Sequence, residues 1–334
     1  MPLTVRPDWL AQVHEDIVDP DRRIVDPHHH FFVASEDFPH YELSDLRADT
    51  ASHNVEQTVY LQCWEGYRSD GPEELRVVGE TEWVDGIANE ARKNPHAVQI
   101  GGIMGTAELR LGAAVRPVLE AHCAASSLFR GIRQAAAWDA DETIMSMPGI
   151  DSAALYADPD FRAGAAVLAD MGLVLDAYHY HHQTPHLIAL ARALPGLSIV
   201  LDHLGTPLGV GPYAGRRDEI FTHWARDIAE LATCPNVTMK LGGLAMPWNG
   251  FGYDDAERPP TSDELVAAQS RYYDYAIEQF GPQRCMFESN FPVDKCALSY
   301  NVLWNAFKKM VSAYSEAERD AMFRGTATRV YALS

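Results

Sequence analysis

Eight short runs rich in Val, Ile, Leu and Met recur along the chain, at residues 23–30, 57–63, 97–104, 128–134, 172–180, 197–205, 236–243 and 284–292. Between most of them lie longer stretches whose apolar positions return every three or four residues, as at 72–94 and 217–233, each closed by Pro or Gly. Runs apolar on both faces, alternating with amphipathic helices, are the pattern of a parallel sheet covered by helices. A count of eight favours closure, and the fold class this predicts is α/β: a (β/α)8 TIM barrel. No Gly-x-Gly-x-x-Gly follows the first run, which removes the main argument for a dinucleotide fold. After the eighth strand, 299–314 and 315–333 read as helices, the second opened by a Ser315–Glu318 capping box. Residues 247–264, "PWNGFGYDDAERPPTSDE", are too long and polar for a minimal loop; leaving the C-terminal end of the seventh strand, they predict a lid-like insertion. No repeat or linker marks a second domain, so residues 1–22 read as an N-terminal extension and 23–334 as a single barrel domain.

Composition narrows the class. With 334 residues, 47% hydrophobic and 22% charged, the chain has the balance of an ordinary globular protein. A net charge of −20 repels nucleic acid and anionic membrane surfaces, leaving a small molecule as the expected partner; pairing of exposed helices into a homo-oligomer stays open. The five cysteines are scattered, with no Cys-x-x-Cys pair, which argues against a disulfide framework or a structural zinc knuckle. No apolar leader opens the sequence and no run is long enough to span a bilayer, so a cytoplasmic location is expected.

Chemistry in such a barrel is carried at the C-terminal strand ends. There the first run supplies His28, His29 and His30, the fourth Arg130, Arg133 and Gln134, and the fifth His179, Tyr180, His181 and His182. The sixth supplies Asp202 and His203, the seventh Lys240, and the eighth Glu288, Ser289 and Asn290. One strand-end histidine is commonly a satisfied core residue; imidazoles on three strand ends beside carboxylates and arginines point to a site. Strand alternation puts Asp26, His28 and His30 on one face and Pro27 and His29 on the other. A His-x-His pair brings two imidazoles to one point, as a divalent metal or a shared substrate oxygen requires.

Together "VDPHHHF", "FRGIRQ", "IVLDHLGTP", "KLGGLAMP" and "RCMFESNFPVDK" resemble the amidohydrolase superfamily, in its amidohydrolase-related, lactonase-like branch. The likeness runs from the first strand to the C-terminal "FRGTATRVYAL". It implies a hydrolase that opens a small lactone by water attack. The alternatives are a metal-dependent decarboxylase on the same barrel and a non-catalytic small-molecule-binding relative. By this resemblance His28, His30 and His203 are catalytic and would be the metal ligands, around one divalent ion (Zn or Mn) or none, with no organic cofactor. His179, ahead of His181, would be the fifth-strand histidine, and Arg130 and Arg133 would hold substrate oxygens. The family's eighth strand usually ends in Ser-Asp-Trp-Pro; here it is Ser289-Asn290-Phe291-Pro292. An amide cannot act as a general base and is a poor ligand for a hard cation. Glu288, two residues earlier on the same face, could supply the missing carboxylate one layer deeper.

The remaining assignments stay open at this level. The base is His203, His179 or Glu288; Lys240 is barrel packing or oxyanion help; Asp294 and Lys295 read as a surface or loop-fixing pair. Tyr180 and Trp248 are candidate substrate contacts, and the aromatics around Phe251 and Tyr253 either line a pocket or form the loop's own small core.

Overall fold

The computed structural model describes residues 3–33, 35 and 38–334. Eight strands, β1 (Ile24–His29), β2 (Val55–Leu61), β3 (Gln99–Gly105), β4 (Phe129–Arg133), β5 (Val174–Ala177), β6 (Ser198–Leu201), β7 (Val237–Leu241) and β8 (Cys285–Phe287), form one sheet in chain order. Every neighbouring pair is parallel. The ring is drawn together past the end of β8, where Asn290 N donates to His28 O at 3.0 Å and His30 N to Phe291 O at 2.8 Å. Helices wrap the outside, including Val78–Ala91, Arg217–Ala232 and Ser262–Phe280. The (β/α)8 barrel is thus present, and its strands fall within two residues of the predicted starts but end earlier at β5, β6 and β8. The trimmed residues form the rim: their backbone turns away from the ladder, which frees their side chains for a site.

The inside of the barrel is stratified. At the N-terminal end Val25, Val59, Val174, Val200 and Met286 pack against Tyr331 and Leu333 of the C-terminal tail, which plugs the barrel from below. Large aliphatic and aromatic side chains fill the shell between strands and helices. The Ser315–Glu318 capping box forms, with Ser315 N donating to Glu318 at 2.9 Å. Among the described residues no helix is long and apolar enough to cross a membrane.

The segment before β1 is tied to the barrel by side chains. Trp9 Nε1 donates to the carbonyls of Ala256 and Glu257, both at 3.1 Å, and Arg6 donates to the Asp254 carbonyl. Glu15 accepts from Ser262 N at 2.7 Å and from Asn305 Nδ2 at 3.0 Å. The long connection after β7 therefore has the N-terminal segment laid against it. Phe251 and Tyr253 stack on each other at 5.5 Å with Arg217 over Phe251, so that part of the connection makes its own small core.

Candidate active site

Three features of the local sequence bring the rim residues together. Pro27 has no N–H to give the ladder, and the β1–β2 register is irregular between Asp26 and His29. The alternation slips there. Asp26 turns outward, accepting from Ser289 N at 2.9 Å and from Tyr300 Oη at 3.0 Å, while His28 and His30 meet inside. The expectation that Asp26 shares their face is corrected by this irregularity. The second feature is the Gly242–Gly243 pair after β7. A Cβ on Gly242 would lie 2.4 Å from Glu288 Cγ, and one on Gly243 would lie 2.4 Å from His203 Nδ1, so only glycines admit these two side chains. The third is the turn after β6, where His203, Leu204 and Thr206 all have left-handed backbone.

At the centre lies the Glu288 carboxylate, fully buried between two imidazoles. Its Oε2 is 2.7 Å from His28 Nδ1 and its Oε1 is 2.7 Å from His203 Nδ1; Oε1 also accepts the His203 backbone N–H at 3.1 Å. Burial pushes this carboxyl up, but the two imidazoles outweigh burial and hold it well below the usual carboxylate range. Beneath it, Lys240 Nζ lies 2.6 Å from Asp176 Oδ2, 3.0 Å from Asp202 Oδ1 and 3.3 Å from His28 Nδ1. Asp176 also accepts from Tyr331 Oη, and burial raises it to about 7 despite the ammonium. Lys240, Asp176, Asp202, His28 and Glu288 are all completely buried.

His30 Nδ1 lies 2.9 Å from the Leu61 carbonyl, which only accepts, so this ring carries its proton on Nδ1. His28 Nδ1 lies between an acceptor, the Glu288 carboxylate at 2.7 Å, and a donor, the Lys240 ammonium at 3.3 Å. Burial, helped by Lys240 for His28 and by Arg133 for His30, keeps both rings neutral. The Nε2 atoms of the two rings face each other at 3.2 Å, where either a shared proton or a divalent metal held by both satisfies them. Three further observations agree with a metal. His28, Asp202 and His203 each place a donor atom within 4.8 Å of the others. Asp202 Oδ2 has no hydrogen-bond partner. Asp176 and Asp202 share the single buried ammonium of Lys240, and Glu288 has only the two imidazoles, a carboxylate-rich setting that a divalent ion offsets. Of the expected ligands, His28 and His203 fall in this cluster together with Asp202, while His30 meets it only through His28 Nε2.

Above this layer opens a cavity of about 320 Å³ whose lining includes His30, Arg133, Tyr178, His203, Trp248 and Asn290. Arg133 is anchored along one edge, Nη2 donating to Gln62 O and, at 3.1 Å, to Gln62 Oε1, while Nε has no partner. Asn290 donates from Nδ2 to Asp294 Oδ1 at 3.0 Å. Asp294 is therefore a buried brace for the rim, and Lys295 pairs with Asp49 at 2.7 Å; the two do not pair with each other as expected.

Three other expected residues are placed elsewhere. Arg130 is near the start of β4, at the N-terminal end, where Nη1 donates to Ser127 O and Phe129 O; three residues separate it from Arg133, roughly 10 Å along a strand. It does not reach the cavity. His179 points into the helical layer, with Nε2 3.1 Å from Thr184 Oγ1 and its ring against Tyr156. Tyr180 is buried and donates to the Met145 carbonyl, bracing the loop after β4. The fifth strand instead delivers Tyr178, whose ring lies 5.4 Å from that of His203. His181 accepts from Leu208 N at 3.3 Å, and His29 packs between Phe31 and Tyr60. Asp176 and Lys240 are members that sequence reasoning undervalued, although a lone charge inside an otherwise apolar strand ("LVLDAY", "VTMKLGG") was a usable signal.

Imidazoles and carboxylates gathered on the C-terminal rim of a (β/α)8 barrel define a hydrolase of the amidohydrolase superfamily. The family model for Amidohydrolase matches residues 25–333, and the chain belongs to that family. It is 34% identical over 294 residues to the uncharacterized protein y4mH of Sinorhizobium fredii, covering 87% of this chain and 85% of that one. It is 34% identical over 184 residues to the L-fucono-1,5-lactonase of Burkholderia multivorans, a match over 55% of this chain and 59% of the lactonase. The crystal structure of an amidohydrolase from Burkholderia multivorans with bound zinc superposes with a TM-score of 0.73 at 24% identity, covering 93% of this chain and 99% of that one.

Proposed function

We propose that the protein hydrolyses a small lactone, with His203 as general base. The observation that carries this reading is the His203–Glu288 pair on the cavity floor. Because Nδ1–H is directed at an ionised carboxylate, Nε2 of His203 is left as an acceptor, and Glu288 stabilises the imidazolium that forms when it takes a proton. The partnerless Nε of Arg133 and the Tyr178 hydroxyl are the groups available to hold the carbonyl and ring ester oxygens. Water adds to the carbonyl carbon as His203 removes its proton, and the negative charge gathers on the carbonyl oxygen. When the oxyanion collapses, the ring C–O bond breaks and the imidazolium returns its proton to the departing alkoxide. The product is a hydroxy acid. Lactonase-named relatives support the reaction class.

His28, His30 and Asp202 would hold a divalent ion, leaving Nε2 of His203 as the base. When bound it supplies Lewis-acid polarisation of the carbonyl and a more acidic water. Asn290 does not take the family aspartate's role here: its amide is committed to Asp294, and Glu288 is the carboxylate that partners the base.

The test is proton release from a lactone panel in a weakly buffered indicator assay. His203→Ala should lose about 10³-fold in kcat/KM, the size expected for a positioned general base. Failure of the wild-type enzyme, supplied with Zn or Mn, to open any lactone would overturn the proposal.

A further inference from the structure

The cavity floor and its walls differ in chemistry. Among the described residues, the charged and imidazole groups that line the cavity, Arg133, His30 and His203, are gathered at the floor around the reacting position. Higher up, the described walls are mostly apolar, with Phe32, Trp64, Met145, Met147, Met246 and Trp248 beside one serine, Ser146. Methionine and aromatic faces bond a ring hydroxyl poorly, so Ser146 and the Trp248 indole N–H are the polar groups of this wall and any further hydroxyl is stranded at a cost of about tenfold in binding or more.

Trp64 gives this wall a built character. Its backbone has φ +67°, a conformation costly for a tryptophan, and its indole is 40% exposed at the cavity mouth. The strain is held from below by one carboxylate. Glu80 Oε1, completely buried, accepts from Cys63 N at 2.7 Å and from Glu65 N at 3.3 Å, the residues on either side of Trp64. Met145, another exposed large apolar side chain, lies on the same cavity at 44% exposure. Two unburied apolar side chains on one opening, one of them held in strained backbone, form a surface made to be covered by something apolar. A second cavity of about 190 Å³ behind Trp64, Met147 and Pro148 is more polar, but its Glu108 and Arg110 are paired with each other at 2.8 Å.

We infer that the site takes lactones bearing an apolar aryl or alkyl substituent, gripped by Trp64, in preference to polyhydroxylated sugar lactones. This rests on the lactonase reading above and narrows it. Two δ-lactones of equal ring size separate the cases: 3,4-dihydrocoumarin and D-glucono-1,5-lactone. The expected result is kcat/KM at least a hundredfold higher for dihydrocoumarin. Trp64→Ala, a partly exposed position where folding is checked by circular dichroism, should lower that value about tenfold and leave the gluconolactone value within twofold. Preference for gluconolactone, or equal loss on both substrates in the variant, would overturn the inference while leaving the lactonase reading standing. With turnover of neither, the lactone panel decides the lactonase reading and binding decides the inference. Calorimetric titration should give 3-phenylpropanoate at least tenfold tighter affinity than D-gluconate; equal or reversed affinities would overturn it.

Discussion

Glu80 shows how a residue that never meets the substrate can govern the site. Burial raises its carboxyl from an ordinary value near 4.5 to about 7, against the pull of the hydrogen bonds from Cys63, Tyr60 and Glu65. Below about pH 4.5 the group is protonated whether folded or unfolded and contributes nothing to pH dependence. Between there and about pH 7 the folded form keeps a proton that the unfolded form has released, so stability falls as pH rises; above 7 the full penalty, a few kcal/mol at the level of order of magnitude, is in place. Glu80→Gln cannot ionise and escapes it. The melting temperature of this variant relative to wild type should therefore rise between pH 5 and pH 8, measured by differential scanning calorimetry; a constant difference would show that Glu80 titrates normally. At this scale much of the site was legible. His28, His30, Arg133, His203, Glu288 and Asn290 stood at strand ends, and all gather around the cavity or directly beneath it. His179 and Tyr180 were misjudged because "YHYHHQ" follows a strand that stops at Ala177, and no periodicity says which of its rings turns inward.

The connections around the cavity act together with the segment that precedes β1. Leu3 reaches the cavity lining, and the Trp9 and Arg6 side chains fasten their segment to the backbone of residues 254–257. Met246 and Trp248, from the start of the same connection, form another wall. Trp9→Ala removes two hydrogen bonds and the stacking of Arg6 at 3.9 Å, loosening this roof without touching the floor. KM for the best lactone should rise about three- to tenfold with kcat within twofold, in steady-state kinetics; an unchanged KM would mean the roof does not bear on the substrate. The elements were largely readable because a strand apolar on both faces, bounded by turn residues, has few other fates. Register was not. The slip at Pro27 depends on how one missing N–H is absorbed between two strands, whereas the place of Arg130 at the start of the fourth run was already legible.

At the scale of the molecule, the barrel joins its two ends through one column of charge. Tyr331 in the C-terminal tail bonds Asp176, Asp176 and Asp202 hold Lys240, and Lys240 lies under the His28–Glu288–His203 group that closes β1 against β6 and β8. Breaking a buried pair by deleting one member leaves an uncompensated charge and costs roughly 3–5 kcal/mol. A ligand bound only by the folded state adds to stability by mass action, about 2.7 kcal/mol at a hundred times its dissociation constant. A divalent cation held by His28 and Asp202 would engage this column at its upper end, offsetting carboxylate charge. Elemental analysis of the purified protein should accordingly find close to one transition metal per chain, and removal with a chelator should lower the melting temperature by several degrees, restored by Zn or Mn. The readout is unfolding, so it is independent of which lactone is turned over. His28→Ala, which deletes the shared ligand, should abolish the response to added metal. A protein that purifies without metal and melts at the same temperature with and without chelator would show that a proton joins the two imidazoles, leaving Arg133, His203 and Glu288 to carry the hydrolysis unaided.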